Sequence, residues 1–107
     1  MINYDGREFR SLDPAEASAI ARYHQDGDLL WGDFAGGSVR HGSLAGRTLA
    51  GDELEFAYSC VLITGEVISG RCRSSPQLLA DGRLRLSESW IRYGADASTG
   101  TSQIEQL

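Results

Sequence analysis

The sequence lacks the features that mark several large classes of protein. Only two of its 107 residues are proline, two are cysteine, and 10 basic residues stand against 15 acidic ones, for a net charge of −5. A chain with this charge has no basic face of the kind that nucleic acids and anionic membrane surfaces attract. No run approaches the roughly 20 apolar residues of a membrane-spanning helix. We therefore expect neither nucleic acid nor a membrane among its partners.

Metal-binding, cofactor-binding and export motifs are also missing. Cys60, Cys72, His24 and His41 are scattered, without the close spacing of metal ligands,. The segment 65–71 has the glycine spacing of a phosphate loop but lacks its Lys-Ser/Thr pair,, so we expect no cofactor. The first residues show neither the basic nor the apolar region of a signal peptide. The sequence thus predicts reduced thiols and a cytoplasmic location.

Glycine, by contrast, is abundant, with 13 residues, many of them in pairs that favour tight turns,. Between these turns lie short runs in which apolar and polar residues alternate, as in β-strands. The turn pairs are Asp26-Gly27, Gly36-Gly37, Gly51-Asp52, Thr64-Gly65 and Asp81-Gly82. The predicted strands are a first one within 2–11, then 18–25, 28–35, 38–45, 53–62, 66–75, 83–93 and 100–107.

A two-residue hairpin determines which residues face each other, so one side of the sheet can be followed through all the strands. On these assignments one side is largely apolar, with Leu30, Phe34, Val39, Leu54, Phe56, Leu62, Val67, Leu84, Leu86 and Trp90. The other side collects Arg22, Asp33, Arg40, Glu53, Glu55, Glu66, Arg83 and Arg85. Since no sequence remains for a second layer, the apolar side is best covered by closure. We predict an all-β fold: an eight-stranded antiparallel up-and-down β-barrel, with residues 1–107 as a single domain.

One segment departs from the strand pattern. Asp13, Pro14 and Glu16 stand where a helix has its cap, its first residue and its third residue,. A long helix here would replace a strand. We therefore predict a single helical turn before the second strand.

A set of short motifs at turns and core positions resembles that of a known group of folds. The motifs are Tyr23-x-Gln25-x-Gly27, Trp31-Gly32, Gly36-Gly37, Gly42-x-Leu44-x-Gly46, Gly70-x-Cys72, Ser75-Pro76, Asp81-Gly82-Arg83 and Trp90. The chain resembles the calycin-like barrels, meaning avidins, lipocalins and their small bacterial relatives. It is also similar to short bacterial proteins often labelled N-acetylglutamate synthase, although no loop suited to acetyl-CoA leads into a helix. The resemblance implies a barrel, and by analogy either ligand binding or the chemistry of a cofactor-free cyclase.

The predicted interior also carries polar side chains. They are Tyr23, Gln25, His41, Ser43, Tyr58, Cys60, Ser69, Arg71, Arg73 and Glu88. Arg73 is expected either to bind a ligand carboxylate beside Glu88 or to form a structural ion pair with it. Arg71 either binds an anionic ligand or reaches solvent at the barrel mouth. His41 is a candidate acid or base and equally a core histidine.

Three functions remain open from the sequence. The preferred one is binding of a largely apolar or aromatic ligand that carries an acidic or carbonyl group. Its predicted site consists of Tyr23, Phe34, Phe56, Tyr58, Arg71, Arg73, Glu88 and Trp90. The second is a cofactor-free cyclase or isomerase in which Glu88 or His41 moves a proton. The third is an interaction module or homodimer formed through an outer patch of Trp31, Leu29, Leu44 and Ile68.

Overall fold

The computed structural model describes all 107 residues and forms a closed barrel of eight antiparallel strands, each paired with its neighbours in chain order. The strands are β1 (Glu8–Ser11), β2 (Ile20–Asp26), β3 (Leu29–Gly36), β4 (Val39–Thr48), β5 (Leu54–Leu62), β6 (Val67–Leu78), β7 (Leu84–Arg92) and β8 (Ser98–Gln106). β1 pairs with β8 and closes the cylinder. No helix in the structure is long and apolar enough to cross a membrane. The predicted eight-stranded up-and-down barrel is confirmed.

The predicted helical turn is present as a 3-10 turn over Pro14–Glu16. The Asp13 carboxylate accepts a hydrogen bond from the Ala15 N–H at 3.0 Å, as an N-cap does,. Glu16 then reaches across to the β3–β4 hairpin, where its carboxylate accepts hydrogen bonds from the Ser38 N–H at 2.9 Å and the Ser38 hydroxyl at 2.7 Å. This connection is therefore tied to the neighbouring hairpin at the same end of the barrel.

Three hairpins have three-residue loops where two-residue loops were predicted. Their closing hydrogen bonds run from Leu49 N to Glu53 O, from Leu62 N to Glu66 O and from Leu79 N to Arg83 O, at 2.7, 2.8 and 2.8 Å. The last residue of the second loop is Gly65 and that of the third is Gly82, with φ of 90° and 86°, the conformation that a three-residue loop requires of its final residue. Each added loop residue reverses the face that the next strand turns inward.

A β-bulge in β4 adds a fourth reversal. Gly36 pairs with Val39, but two residues back Phe34 pairs with Gly42, so β4 carries one extra residue,. Because of the bulge, most of β4 turns inward the face opposite to the predicted one, and the first three-residue loop returns β5 to its predicted inner face. The second three-residue loop turns the opposite face of β6 inward, and the third returns β7 to its predicted inner face. The predicted inner faces of β2, β3, β5 and β7 are therefore confirmed, whereas those predicted for most of β4 and for β6 are wrong.

The N-terminal segment closes one end of the barrel. The Tyr4 hydroxyl donates a hydrogen bond to the Asp52 carbonyl at 2.6 Å, and the Ile2 N–H donates to the Asp52 carboxylate at 2.8 Å. The Gln25 side chain accepts from the Tyr4 N–H at 2.9 Å. Side chains at this end are fully buried and form the core: Tyr4, Leu30, Leu54, Leu84 and Leu86. We call it the closed end.

Candidate functional site

The other half of the barrel contains a cavity of about 370 Å³ that is partly open to solvent. Of its 20 lining residues 15 are hydrophobic, and the volume lies in the range of small-molecule pockets. Its outer part is lined near the β3–β4, β5–β6 and β7–β8 turns by Val39, Ile68 and Arg92. Its deeper part is lined by Tyr23, Leu44, Phe56, Cys72, Glu88 and Ser102. We call this half the hollow end.

Each aromatic residue of the cavity lining on β2, β3, β5 and β7 faces a glycine on the next strand, and the side chains of Phe34, Tyr58 and Trp90 extend over theirs. Five pairs share this arrangement: Tyr23–Gly32, Phe34–Gly42, Phe56–Gly46, Tyr58–Gly70 and Trp90–Gly100. A Cβ at Gly42 would collide with the Phe34 ring, and one at Gly100 with the Trp90 ring. The missing side chains leave room for the rings to lie flat. The wall is therefore aromatic while space remains in the middle.

Glu88 is the one acidic residue in the cavity lining. Its Oε1 accepts a hydrogen bond from the Ser102 hydroxyl at 3.1 Å, and its Oε2 accepts one from the Cys72 thiol at 3.5 Å. It retains some accessible area because it faces the cavity, but protein surrounds it. Burial raises the pKa of Glu88, and hydrogen bonds from Ser102, Cys72 and Ser74 oppose that shift,.

The groups facing Glu88 carry no charge at neutral pH. Burial raises the pKa of the Tyr23 hydroxyl and of the Cys72 thiol, and the nearby Glu88 carboxylate raises both further. Burial likewise raises the pKa of Tyr58. None of the ion pairs in the structure includes Glu88. The carboxyl group therefore faces the cavity without a counter-ion.

Arg92 is the one basic residue in the lining. It follows Glu88 by four residues on the same face of β7, so their Cα atoms are about 13 Å apart along the strand. Its guanidinium contacts the Glu66 carboxylate at 3.3 Å, close to the β5–β6 loop. Arg92 was missed in the sequence analysis, although the alternation that places Glu88 and Trp90 inward also includes it.

Six of the predicted site residues do line the cavity. They are Tyr23, Phe34, Phe56, Tyr58, Glu88 and Trp90. Arg71 and Arg73, however, point outward from the reversed strand β6, so their predicted place inside the barrel is wrong. Arg71 contacts the Glu55 carboxylate at 2.6 Å and Arg73 contacts that of Glu53 at 2.8 Å, both on the outer surface. The predicted pairing of Arg73 with Glu88 is therefore also wrong.

The reversals displace further candidates. His41 is exposed on the outer face just after the bulge in β4, so its predicted interior position is wrong. Leu44 and Ile68, predicted for the outer patch, line the cavity instead, and Cys72 on the reversed strand β6 lines it as well. Trp31 is exposed as predicted, and its ring stacks on that of His24, with centroids 5.5 Å apart.

A closed up-and-down barrel of eight strands with a hollow interior places the protein among the calycin-like barrels,. The chain belongs to the avidin-like family, because the family model described as avidin-like protein matches residues 2–107. No curated protein sequence matches the chain significantly. The family and the barrel suggest binding of small molecules in general.

Proposed function

We propose that the protein binds one small, largely apolar or aromatic molecule in the cavity of the hollow end. The observation that carries the proposal is the cavity of about 370 Å³ with 15 hydrophobic residues among its 20 lining residues. A barrel that served only as an interaction module would gain stability by filling this space. An unfilled apolar space beneath an aromatic wall favours a ligand.

The polar part of the ligand has fewer partners than the sequence indicated. Arg71 and Arg73 were expected to bind an acidic group, but neither faces the cavity. Of the charged residues only Glu88 and Arg92 line it. We therefore propose one polar group on an otherwise apolar ligand.

Binding is tested by filling the cavity. Ile68 lines it, whereas Ile91 on the adjacent strand is 44% exposed on the outer surface. Ile68→Trp should abolish binding of a neutral bicyclic aromatic such as 1-naphthylmethanol, measured by isothermal titration calorimetry, and Ile91→Trp should leave it unchanged. The proposal fails if the wild type binds neither this alcohol nor its charged or carbonyl-bearing naphthalene analogues, or if the two variants do not differ in binding.

Catalysis is a second candidate, supported by the buried position of Glu88. A carboxyl group whose pKa is raised by burial is suited to moving a proton,. In the cyclase or isomerase hypothesis His41 is no longer a candidate for proton transfer, because it faces outward, and Glu88 remains. Incubation with candidate ligands and mass spectrometry of the products tests it, since turnover should disappear in Glu88→Gln while binding persists.

We also propose a cytoplasmic location, supported by two free cysteines,. The homodimer stays a prediction, now resting on exposed Trp31 and Leu29 alone. Sedimentation velocity of the wild type and of Trp31→Thr tests it: a dimer formed through this face becomes monomeric in the variant.

A further inference from the structure

The carboxyl group of Glu88 is an acceptor that the protein leaves incompletely matched. An ionised carboxylate has room for about four hydrogen bonds, and here its donors are the Ser102 hydroxyl, the Cys72 thiol, which is a weak donor, and the nearby Ser74 hydroxyl, all of them neutral. The chain contains no lysine, and its interior arginine, Arg92, lies at the outer part of the cavity. A charged carboxylate in this place needs a cation, and the protein supplies none within reach.

We propose that the cavity selects amines: molecules with an apolar or aromatic body and a protonated amino group that pairs with Glu88. The inference rests on the proposed function, because it names the ligand class of the same cavity. The ammonium group would supply both the positive charge and additional hydrogen-bond donors to Glu88.

The surroundings of Glu88 suit an ammonium group in two further ways. Tyr23, Phe56 and Trp90 line the same cavity, and the faces of aromatic rings attract cations. The hydroxyl and thiol groups around Glu88, on Tyr23, Tyr58, Cys72, Ser74 and Ser102, stay neutral in the pH range in which a carboxyl titrates. Arg92, the other charge in the lining, pairs with Glu66 through one terminal nitrogen of its guanidinium, while its buried Nε has no hydrogen-bond partner.

An acidic ligand fits the cavity less well. Its carboxylate would meet Glu88 in the deep part and would find only Arg92 near the mouth. A neutral carbonyl compound could accept a hydrogen bond from Glu88 only while that group is protonated. The three classes therefore differ in affinity and in pH dependence.

Matched probes separate these classes, since they share one naphthalene ring. Isothermal titration calorimetry would compare 1-naphthylmethylamine, 1-naphthylmethanol, 1-acetylnaphthalene and 1-naphthoic acid. At pH 7.5 we expect the amine to bind roughly tenfold or more tighter than the alcohol, as a charge-assisted hydrogen bond implies, and the acid to bind weakest. On acidification through the pKa of Glu88 the amine should lose affinity while the alcohol keeps its own.

Glu88→Gln should remove the preference for the amine and retain binding of the alcohol, which also shows that the variant folds. Asp33→Asn, which changes net charge equally at an exposed position on β3, should leave the preference intact. Equal affinity for amine and alcohol, stronger binding of the ketone or the acid, or an amine preference that survives in Glu88→Gln overturns the inference and leaves the proposed function standing. Failure of all four probes to bind overturns the proposed function itself.

Discussion

The two ends of the barrel are built from the same strands but differ in what fills them. At the closed end Leu30, Leu54 and Leu84 are fully buried, and the N-terminal segment with Tyr4 lies across the opening. At the hollow end the side chains of Phe34, Tyr58 and Trp90 lie over glycines of the next strand, and a cavity remains between the walls. The closed end therefore accounts for much of the stability of the fold, and the hollow end is free to bind a ligand.

The largest expected difference between the ends comes from truncating one aliphatic side chain in each. Leu84→Ala should lower the free energy of unfolding by about 2–5 kcal/mol, because it opens a cavity in a packed core. Ile68→Ala, at the edge of an existing cavity, should cost less than about 2 kcal/mol. Urea denaturation of both variants measures this. Equal losses would mean that the two ends are packed alike.

A side chain added at the hollow end should also destabilise the fold. Gly100→Ala places a Cβ against the Trp90 ring, so the ring must turn into the cavity, at an expected cost of about 1–3 kcal/mol. The probe 1-naphthylmethanol should bind more weakly to this variant. Thr101→Ala, at the next and outward-facing position, is the control. If Gly100→Ala bound the probe normally, the glycine–aromatic pairs would not shape the cavity.

The closure by the N-terminal segment can be weakened by a single atom. Tyr4→Phe removes the hydroxyl that donates to the Asp52 carbonyl, and we expect a loss of about 1 kcal/mol. Tyr93 is 51% exposed, so Tyr93→Phe should have little effect on thermal unfolding. If the two variants had the same midpoint, the bond across the closed end would contribute nothing measurable.

The smallest expected effect concerns pH and the hollow end. The pKa of Glu88 is raised above its ordinary value of 4.5 in the folded protein. The folded state therefore binds the proton more tightly than the unfolded state, so the contribution of Glu88 to stability is fully present below pH 4.5 and is lost as pH rises through the folded pKa,.

Glu88→Gln should consequently be more stable than the wild type above that pKa, with a gap that narrows on acidification. Unfolding by denaturant between pH 4 and pH 8, with Asp33→Asn as the control, measures the gap. A gap independent of pH would show that the carboxyl group titrates in the folded protein as it does when unfolded.

Most of the fold could be predicted because it depends on local pattern. Alternation within a strand is visible in the sequence, and glycine pairs mark where one strand ends and another begins. Six of the eight predicted site residues line the cavity because they lie on β2, β3, β5 and β7, whose inner faces were assigned correctly. Closure of the sheet into a barrel could also be predicted, because a sheet of this length with one apolar face has no other means of covering that face.

Arg71 and Arg73 show why the remainder was not predictable from the turns. Thr64-Gly65 is compatible with a two-residue loop and with the end of a three-residue loop. The two alternatives place opposite faces of β6 inside the barrel. The alternation within β6 predicts its inner face better than the turn does. One face of the strand carries Ile68 and Cys72 and the other carries the two arginines, and burying charges without partners is costly.

By itself, the sequence determined the number of strands, their order and the two-residue alternation along each, because these depend on neighbouring residues in the chain. Only the tertiary structure decided which face of β4 and β6 turns inward, because one bulge and three loop lengths are set by the fit of whole strands around a closed cylinder. It also decided that one end is filled and the other hollow. The filled end requires the N-terminal segment to reach Asp52, which is far from it in sequence, and the hollow end requires each aromatic residue to be in register with a glycine on the neighbouring strand.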